Sequence, residues 1–428
     1  MIQKETPPTS PYMDQHVEEL EDNDLELIEN GDVEVLDSYE VEEIEEIEDD
    51  EDPMGEPHEN FEQMEREDAS CIFDRHTASV FTGSLSKDGN YAVTGGEDDK
   101  AYVWNSRTGE IVVECSEHRD SVVFADFSHD DVYLATGDMN GIIKVRKTSD
   151  NQIIWDYDMG DALWMQWHHH AHVLLAGSVA GEVYMWRIPS GECKIIQGFG
   201  RKPDVASLMP DGKKLVVGYE DGTIRVIDLR SATVLQTISG NLAHSDAITC
   251  LDCYVDNNII LSGGVDGKVI VSAANTGRVR VLQNFNHNVD REMADANEES
   301  SDMEASGSRS SSSNWAESVA FMKDSSQQIA AVGTLKGQIF IWDVAREVLR
   351  HSIDQGSGVA KIIWKLNSPL IYAAGLDGIL RCYDGRTAEC AKTYLGHVDD
   401  ILDLHLSTDG KRALTTSDDN TARIFEIE

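Results

Sequence analysis

The sequence predicts an all-β fold, a closed propeller of eight four-stranded blades preceded by a disordered acidic tail. One strand–turn–strand motif occurs eight times, its copies follow one another at nearly constant spacing, and the composition changes abruptly near residue 70. Repeats of about 40–45 residues that each hold four short strands are typical of propellers.

Each copy of the motif is the end of one strand, a tight turn rich in Gly and Asp, and a second strand that is commonly closed by an aromatic residue. The copies span residues 92–104, 135–145, 176–186, 217–227, 262–271, 332–342, 374–383 and 415–425. Between the closing positions, from Trp104 to Phe425, the intervals are 42, 40, 41, 45, 70, 41 and 42 residues. Six of the seven intervals are therefore close to one ordinary repeat, and Arg146 and Ser272 replace the aromatic residue in two of the units.

The chain divides into a tail, residues 1–70, and a propeller, residues 71–428. The tail holds 28 Asp and Glu residues against Lys4 and Arg66 alone. Such self-repulsion, with little apolar surface to offset chain entropy, predicts disorder. The long interval of 70 residues contains a polar, Ser-rich stretch, residues 285–314, which we predict to be a disordered insertion in the propeller.

Residues 71–74 precede the first unit and have no partner within it. We expect them to form the outer strand of the last blade beside residues 423–426, because this pairing joins the two ends of the chain and removes an open sheet edge.

A buried hydrogen-bond chain is predicted within the blades. In the first unit its members are His76, Thr94, Asp98 and Trp104, and in the last unit they are His397, Thr415 and Asp419, with Phe425 in place of the Trp. In this arrangement the His bridges a turn Asp to a strand hydroxyl, and the Trp buries its ring while donating its N–H.

Other polar clusters receive a structural interpretation. The His-rich run at residues 168–172 lies in an inter-strand turn, where adjacent side chains of an extended chain point to opposite faces, so no metal site is expected. Cys250 and Cys253 form a lone CxxC without a second pair. No phosphate loop or nucleophile motif is present, so we predict neither an enzyme nor a cofactor.

Acidic residues recur in the turns after the second strands and in the loops that lead into the first strands. Both sets emerge on one face of a propeller, and we predict that they surround the channel mouth as a partner-binding face. The predicted set is Glu97, Asp99, Asp120, Asp138, Asp161, Glu220, Asp246, Asp399, Asp400 and Asp418. Such a ring focuses potential and selects a basic peptide. The alternative is that these residues are only good turn formers.

Trp164 and Tyr219, near this rim, are candidates to stack an incoming Arg, with packing as the more ordinary role.

Net charge and cysteine content limit the function further. A formal charge of −44 argues against direct binding to nucleic acid or to an anionic membrane and favours a basic partner. No apolar run is long enough to span a membrane, and the N-terminus lacks the order of a signal peptide. Seven scattered cysteines indicate a reducing compartment. We expect a cytoplasmic monomer, with the nucleus left open.

Three segments resemble the angio-associated migratory cell protein family of WD-repeat proteins: residues 94–104, residues 127–131 with 135–141, and residues 216–225. The short stretch 189–194 resembles it as well. The resemblance runs from about residue 73 to residue 426, and the tail matches only in character. It implies a non-catalytic, acidic, eight-bladed propeller. It also implies a fungal counterpart that is a dedicated chaperone for a basic large-subunit ribosomal protein of the L-ten type, held by its N-terminal segment. Heparin binding, linked to animal members, is not expected, since the sequence shows no basic cluster beyond Arg201-Lys202 and Lys213-Lys214.

These observations together predict a protein-binding chaperone or assembly factor in ribosome biogenesis. Its acidic face would capture a basic large-subunit ribosomal protein. The alternative is a WD-repeat scaffold in signalling or cell migration, with partners on the sides of the blades. A ligase adaptor would require a helical dimerisation or ligase-binding module, and none is visible in the sequence.

Overall fold

The computed structural model describes residues 66–286 and 314–427. The disorder predicted for most of the tail and of the insertion concerns residues outside these ranges. The described residues form eight four-stranded antiparallel sheets, so the predicted eight-bladed propeller is confirmed.

The strands of the first four blades, given in chain order after the short strand β1 (Cys71–Phe73), are as follows. Blade 1 has β2 (Val80–Leu85), β3 (Tyr91–Gly96), β4 (Ala101–Asn105) and β5 (Ile111–Cys115). Blade 2 has β6 (Val122–Phe127), β7 (Tyr133–Asp138), β8 (Ile142–Lys147) and β9 (Ile153–Asp158). Blade 3 has β10 (Ala162–Trp167), β11 (Val173–Ser178), β12 (Val183–Arg187) and β13 (Glu192–Ile196). Blade 4 has β14 (Val205–Leu208), β15 (Lys214–Gly218), β16 (Ile224–Asp228) and β17 (Thr233–Ile238).

The remaining four blades complete the ring. Blade 5 has β18 (Ile248–Cys253), β19 (Ile259–Gly264), β20 (Lys268–Ala273) and β21 (Val279–Asn284). Blade 6 has β22 (Ala316–Phe321), β23 (Ile329–Thr334), β24 (Gln338–Asp343) and β25 (Val348–Asp354). Blade 7 has β26 (Val359–Trp364), β27 (Leu370–Gly375), β28 (Leu380–Asp384) and β29 (Cys390–Tyr394). Blade 8 has β30 (Ile401–Leu406), β31 (Arg412–Ser417) and β32 (Ala422–Glu426), with β1 as its outer strand.

The ring closes through the pairing that the sequence predicts. Strand β1 runs antiparallel to β32, with Cys71 opposite Ile424 and Phe73 opposite Ala422. The first strand of every blade contacts the first strands of both neighbouring blades, all the way round from β2 to β30 and back to β2. The first strands therefore line the axis, and the fourth strands lie at the rim.

The core is a set of apolar layers between adjacent blades. Between blades 8 and 1, Phe73 of β1 packs against Leu414 and Ile424 on one side and stacks on Trp104 on the other, with ring centroids 4.7 Å apart. Phe73 is 1 % exposed and Trp104 is fully buried. The N-terminal strand therefore contributes an aromatic plug to the closing seam as well as backbone hydrogen bonds.

The propeller extends a little further than the sequence predicts. Arg423 forms an ion pair with Glu67, and the backbone N–H of Asp68 donates to the carbonyl of Leu395 at 2.9 Å. At the insertion, Phe285 packs on the ring of Phe340 and Asn314 is buried. Residues 66–70, 285, 286 and 314, which the sequence assigns to disordered segments, are therefore described parts of the fold, because they bury polar or apolar groups against blades 5–8.

Truncating the plug tests this account of closure. We expect Phe73→Ala to lower the free energy of unfolding by about 3–5 kcal/mol, because the substitution leaves a cavity between two blades. Ile72→Ala, on the same strand but 40 % exposed, should cost under about 1 kcal/mol. Chemical denaturation of both variants measures the difference, and equal effects would contradict a seam that depends on the Phe73 ring.

Candidate functional site

One end of the propeller is defined by a hydrogen bond that occurs once in every blade. The backbone N–H of a residue just after the second strand donates to the carbonyl of a residue in the loop that leads into the first strand. The donor and acceptor residues are Glu97 and Ser79, Met139 and Ser121, Val179 and Asp161, Glu220 and Lys202, Val265 and Ala247, Leu335 and Trp315, Leu376 and Gly358, and Asp418 and Asp400, at 2.8–3.2 Å. The predicted turns and loops are thus held together at one face.

Four blades have a His–Asp–hydroxyl chain beneath this face. In blade 1, Nδ1 of His76 lies 3.0 Å from Asp98, Nε2 lies 2.9 Å from the Thr94 hydroxyl, and the Trp104 indole N–H donates to the same hydroxyl at 3.3 Å. A carboxylate only accepts, so Nδ1 carries the proton and the Thr94 hydroxyl donates to Nε2.

The corresponding chains occupy blades 2, 5 and 8. In blade 8, His397 lies 2.8 Å from Asp419 and 2.7 Å from the Thr415 hydroxyl, while Phe425 closes the strand without a polar contribution. In blade 5, His244 joins Asp266 to Ser262. The carboxylates of these chains are buried, so they hold the face in shape and are not available to a partner.

Asp138 belongs to this buried set, and its assignment to the binding face is wrong. It is fully buried, lies 3.2 Å from Nδ1 of His118, and accepts hydrogen bonds from the backbone N–H groups of Arg119 and Ile142. The separation from His118 to Asp138 is 20 residues, whereas it is 22 from His76 to Asp98. Because the Asp sits at the end of β7 and not in the turn, its place in the motif is hidden from sequence spacing.

Burial alone would raise the pKa of each carboxyl in these chains. Hydrogen bonds from the imidazole and from backbone N–H groups outweigh it, and the pKa values of Asp98, Asp138, Asp266 and Asp419 lie below the usual value for Asp. The four carboxyls therefore remain ionised in the folded protein at neutral pH, and this ionised form is the one that the imidazole N–H binds.

The other nine predicted acids lie at the surface of the face. Glu97, Asp99, Asp161, Asp246 and Asp399 are exposed, and Asp120, Glu220, Asp400 and Asp418 are partly buried. Within the described ranges, no Lys, Arg or His nitrogen lies within 4 Å of any of these nine carboxylates. Their negative charge is therefore not neutralised locally by an ion pair.

At two places on this face, burial and the charges of neighbouring acids raise the pKa of one carboxyl. Burial, followed by the charges of Asp399, Asp418 and Asp377, raises the pKa of Asp400. Burial, followed by the charge of Glu220, raises the pKa of Asp204, an acid in the loop leading into blade 4. Like charges held together in this way gain from an incoming cation, since it relieves their repulsion.

The acids form an arc, not the complete ring that the sequence suggests. They come from blades 8, 1, 2, 3, 4 and 5, which follow one another around the closed propeller. In blade 6 the turn carries Lys336, and in blade 7 Asp377 is held by Arg381 through two hydrogen bonds of 2.9 and 2.6 Å. An extended basic segment is the ligand shape that fits such an arc.

Apolar side chains interrupt the acidic surface, a feature that the sequence analysis missed. Val398 is 84 % exposed beside Asp399, Leu242 is 62 % exposed in the loop before Asp246, and Met139 is 51 % exposed in the turn after β7. Trp164 lines a cavity of about 220 Å³ between blades 2 and 3. The signal was present in the sequence, since Val398 directly precedes Asp399 and Leu242 stands in the loop that carries Asp246.

The two aromatic residues singled out near the rim differ in their surroundings. Tyr219 is 2 % exposed and lies edge-on to Phe199, whose ring is covered by the Arg225 guanidinium at 3.5 Å. It is a packing residue. Trp164 is partly exposed and lines the cavity between blades 2 and 3, although its indole nitrogen is buried and has no hydrogen-bond partner among the described residues.

Two further observations concern the reactivity of the cysteines and the presence of membrane-spanning helices. All seven cysteines are free, and burial raises the pKa of Cys250 and Cys253 to about 12, which disfavours the reactive thiolate. No helix in the described ranges is long and apolar enough to cross a membrane.

Comparison with known proteins identifies the repeat. The WD domain, G-beta repeat model matches residues 69–105, 109–146, 193–228, 233–271 and 388–426. The human angio-associated migratory cell protein is 39 % identical over 363 residues, which cover 85 % of this chain and 81 % of that protein.

More distant relatives share the fold. The ribosome assembly protein SQT1 of Saccharomyces cerevisiae is 21 % identical over 89 % of this chain and 91 % of its own length. The crystal structure of Chaetomium thermophilum Sqt1 bound to the N-terminus of the ribosomal protein L10 superposes with a TM-score of 0.69 at 20 % identity, covering 85 % of this chain and all of the other.

The corrected role of Asp138 leads to a prediction. We expect Asp138→Asn to lower the free energy of unfolding at pH 7 by about 1–3 kcal/mol, because a buried charge-assisted bond to His118 is lost. Asp161→Asn, at an exposed acid without a side-chain partner, should change it by less than about 0.5 kcal/mol.

The pH dependence of the same variant provides a second readout. Because the folded-state pKa of Asp138 is lowered, its contribution is fully present above the unfolded value of about 3.9 and is lost as the pH falls through the folded value. The difference between the parent protein and Asp138→Asn should therefore shrink below about pH 4. A constant difference from pH 7 to pH 3 in denaturation experiments would contradict this account.

Proposed function

Because this chain belongs to the WD-repeat proteins and, among them, to the family of the angio-associated migratory cell protein, we propose that it is a non-catalytic chaperone or assembly factor for a basic large-subunit ribosomal protein. The client is of the L10 type, and its N-terminal segment binds the acidic face. The protein acts in the cytoplasm, as a monomer, without a cofactor. The observation that carries the proposal is the arc of nine carboxylates at one end of the propeller, none of which has an ion-pair partner among the residues that the structure describes.

Charge supports a basic client in two ways. Residues 71–428 hold 51 Asp and Glu against 33 Lys and Arg, so the propeller is acidic even without the tail. In addition, the acids of the arc repel one another, as the raised pKa values of Asp400 and Asp204 indicate. A chain of Lys and Arg residues laid along the arc would relieve this repulsion at several points, although each exposed ion pair contributes only about 0–1 kcal/mol.

Apolar contacts add selectivity to this electrostatic capture. Val398 and Met139 stand among the acids, and the cavity beside Trp164 opens near the buried Asp138. A client segment with apolar or aromatic residues between its cations would fill these positions, whereas a uniformly basic polymer would not. Apolar burial of this kind contributes about 25 cal/mol per Å² and is insensitive to salt.

The relatives give the proposal its specific client. In the Chaetomium thermophilum crystal structure, Sqt1 is bound to the N-terminus of ribosomal protein L10, and the yeast relative is a ribosome assembly protein. At 20 and 21 % identity these comparisons support only a shared fold. The arc of acids is what supports a basic client.

Charge reversal tests the face. We expect the triple variant Glu97→Lys, Asp161→Lys and Asp399→Lys to weaken binding of the L10 N-terminal peptide by about 10- to 100-fold, since three attractive positions become repulsive. These three positions avoid Asp99, whose φ of 62° makes substitution there strained. Fluorescence anisotropy with a labelled peptide measures the dissociation constant.

The matched control changes the net charge equally at the opposite end of the blades. Glu110, Asp150 and Glu389 are exposed acids in turns between the third and fourth strands. Their triple replacement by Lys should alter the affinity less than about threefold, because the screening length at physiological salt is about 8 Å. Equal losses in both variants would contradict the assignment of the face.

Salt separates the proposal from a scaffold in signalling or migration. Capture by the arc should weaken steeply between 50 and 300 mM salt, whereas an apolar interface on the blade sides would change little. A peptide that fails to bind at low salt, while side-face partners persist at high salt, would favour the scaffold.

A further inference from the structure

Three potential metal ligands from two blades meet at the end of the propeller opposite the acidic face. His129 and Asp130 lie in the turn between β6 and β7 of blade 2, and His172 lies in the turn between β10 and β11 of blade 3. One ligand atom from each of the three lies within 4.8 Å of the others. The site is separated from the acidic face by the length of β7, roughly 20 Å for six residues.

The distances suit a small divalent ion. Nε2 of His172 lies 2.9 and 3.0 Å from the two carboxylate oxygens of Asp130, and the imidazole rings of His129 and His172 have centroids 5.2 Å apart. Ligand bonds of about 2.0–2.1 Å in a tetrahedral zinc site place neighbouring ligand atoms about 3.3 Å apart. Small side-chain movements would therefore bring all three groups to one ion.

The ligands are held by surrounding groups, as they are in established metal sites. Oδ1 of Asp130 accepts hydrogen bonds from the Ser128 hydroxyl at 3.0 Å and from the Val132 N–H at 3.3 Å. The edge of Tyr133 packs against the His172 ring, with centroids 4.7 Å apart. These contacts fix the carboxylate and one imidazole before any ion arrives.

An unpaired nitrogen indicates unused binding capacity. Nδ1 of His129 is buried and has no hydrogen-bond partner among the described residues. Because a buried polar atom without a partner is destabilising, an unpaired nitrogen of this kind is a candidate to bind a ligand or a water. The side chains of His172 and Asp130 are 31 and 36 % exposed, which leaves a route for an ion and for a water as fourth ligand.

We propose that His129, Asp130 and His172 form a zinc-binding site that clamps blade 2 to blade 3. Two imidazoles and one carboxylate are a donor set that zinc accepts, and the open fourth position is filled by water. The sequence predicts no metal site here because the side chains of residues 168–172 diverge from one another and do not form a site by themselves. The second blade supplies the other two ligands.

The test uses the full chain, freed of metal by a chelator and titrated with zinc in a calorimeter. We expect one equivalent to bind, and His172→Gln and His129→Ala each to weaken that binding at least tenfold. His172→Gln retains a hydrogen-bond donor towards Asp130, so a merely structural pair would survive it. His170→Ala, an exposed neighbour outside the cluster, serves as the matched control and should bind zinc as the parent does.

Cobalt supplies an independent readout. Co²⁺ bound at this site should give the intense visible absorption of tetrahedral coordination in the parent and in His170→Ala, and lose it in His129→Ala. Zinc should also raise the thermal unfolding temperature of the parent but not that of His172→Gln.

Two results would overturn the proposal. One is zinc binding that is equally strong in all four proteins, which would assign it to the acids of the tail. The other is the absence of a one-equivalent site, which would leave His172 and Asp130 as an ion pair between blades. Neither result bears on the acidic face, since the client peptide is titrated separately.

Discussion

The structure depends on the fact that no blade can bury its own faces. A four-stranded sheet exposes two apolar faces and two unpaired edges, and each face is covered only when another blade packs against it. In this chain the layers between blades are continuous round the axis, so the ring is stable only when blade 8 meets blade 1. Phe73 and Trp104 stack at that seam, and the backbone of β1 supplies the fourth strand without which blade 8 would end in an open edge. The faces of the other blades stay buried only while this seam is closed.

The candidate site is built on the same repeat that builds the fold. A turn after the second strand needs residues that tolerate unusual backbone angles and that satisfy backbone N–H groups, and Asp does both. Asp98 faces inward to His76, while its neighbour Asp99 has a φ of 62° and faces solvent. One residue type at consecutive positions therefore serves stability and surface charge, and a stable propeller of this class acquires acids at one end with little change to its core.

The sequence was sufficient for the features that repeat. The spacing of the motif established the eight blades, the unpartnered residues 71–74 located the closing strand, and the residues of the first unit identified the chain from His76 to Trp104. What it could not provide depends on contacts between units or on small shifts within one. Asp138 stands two positions closer to its His than Asp98 does, so the sequence did not reveal that it belongs to the buried hydrogen-bond chain. Tyr219 and Trp164 looked alike in the sequence, yet one is packed under Phe199 and the other borders a cavity. His129 and His172 are far apart in the sequence and meet only because neighbouring blades place the same turn side by side.

The pairing of β1 with β32 has a consequence for the order of synthesis. Cys71 is made long before Ile424, so the closing strand has no partner until the strands of all eight blades have been made. An unpaired strand of apolar residues is an aggregation hazard while it waits, and closing so long a loop is slow. The residues that emerge just before it carry 28 acids, so nascent chains repel one another through the interval in which the strand is exposed.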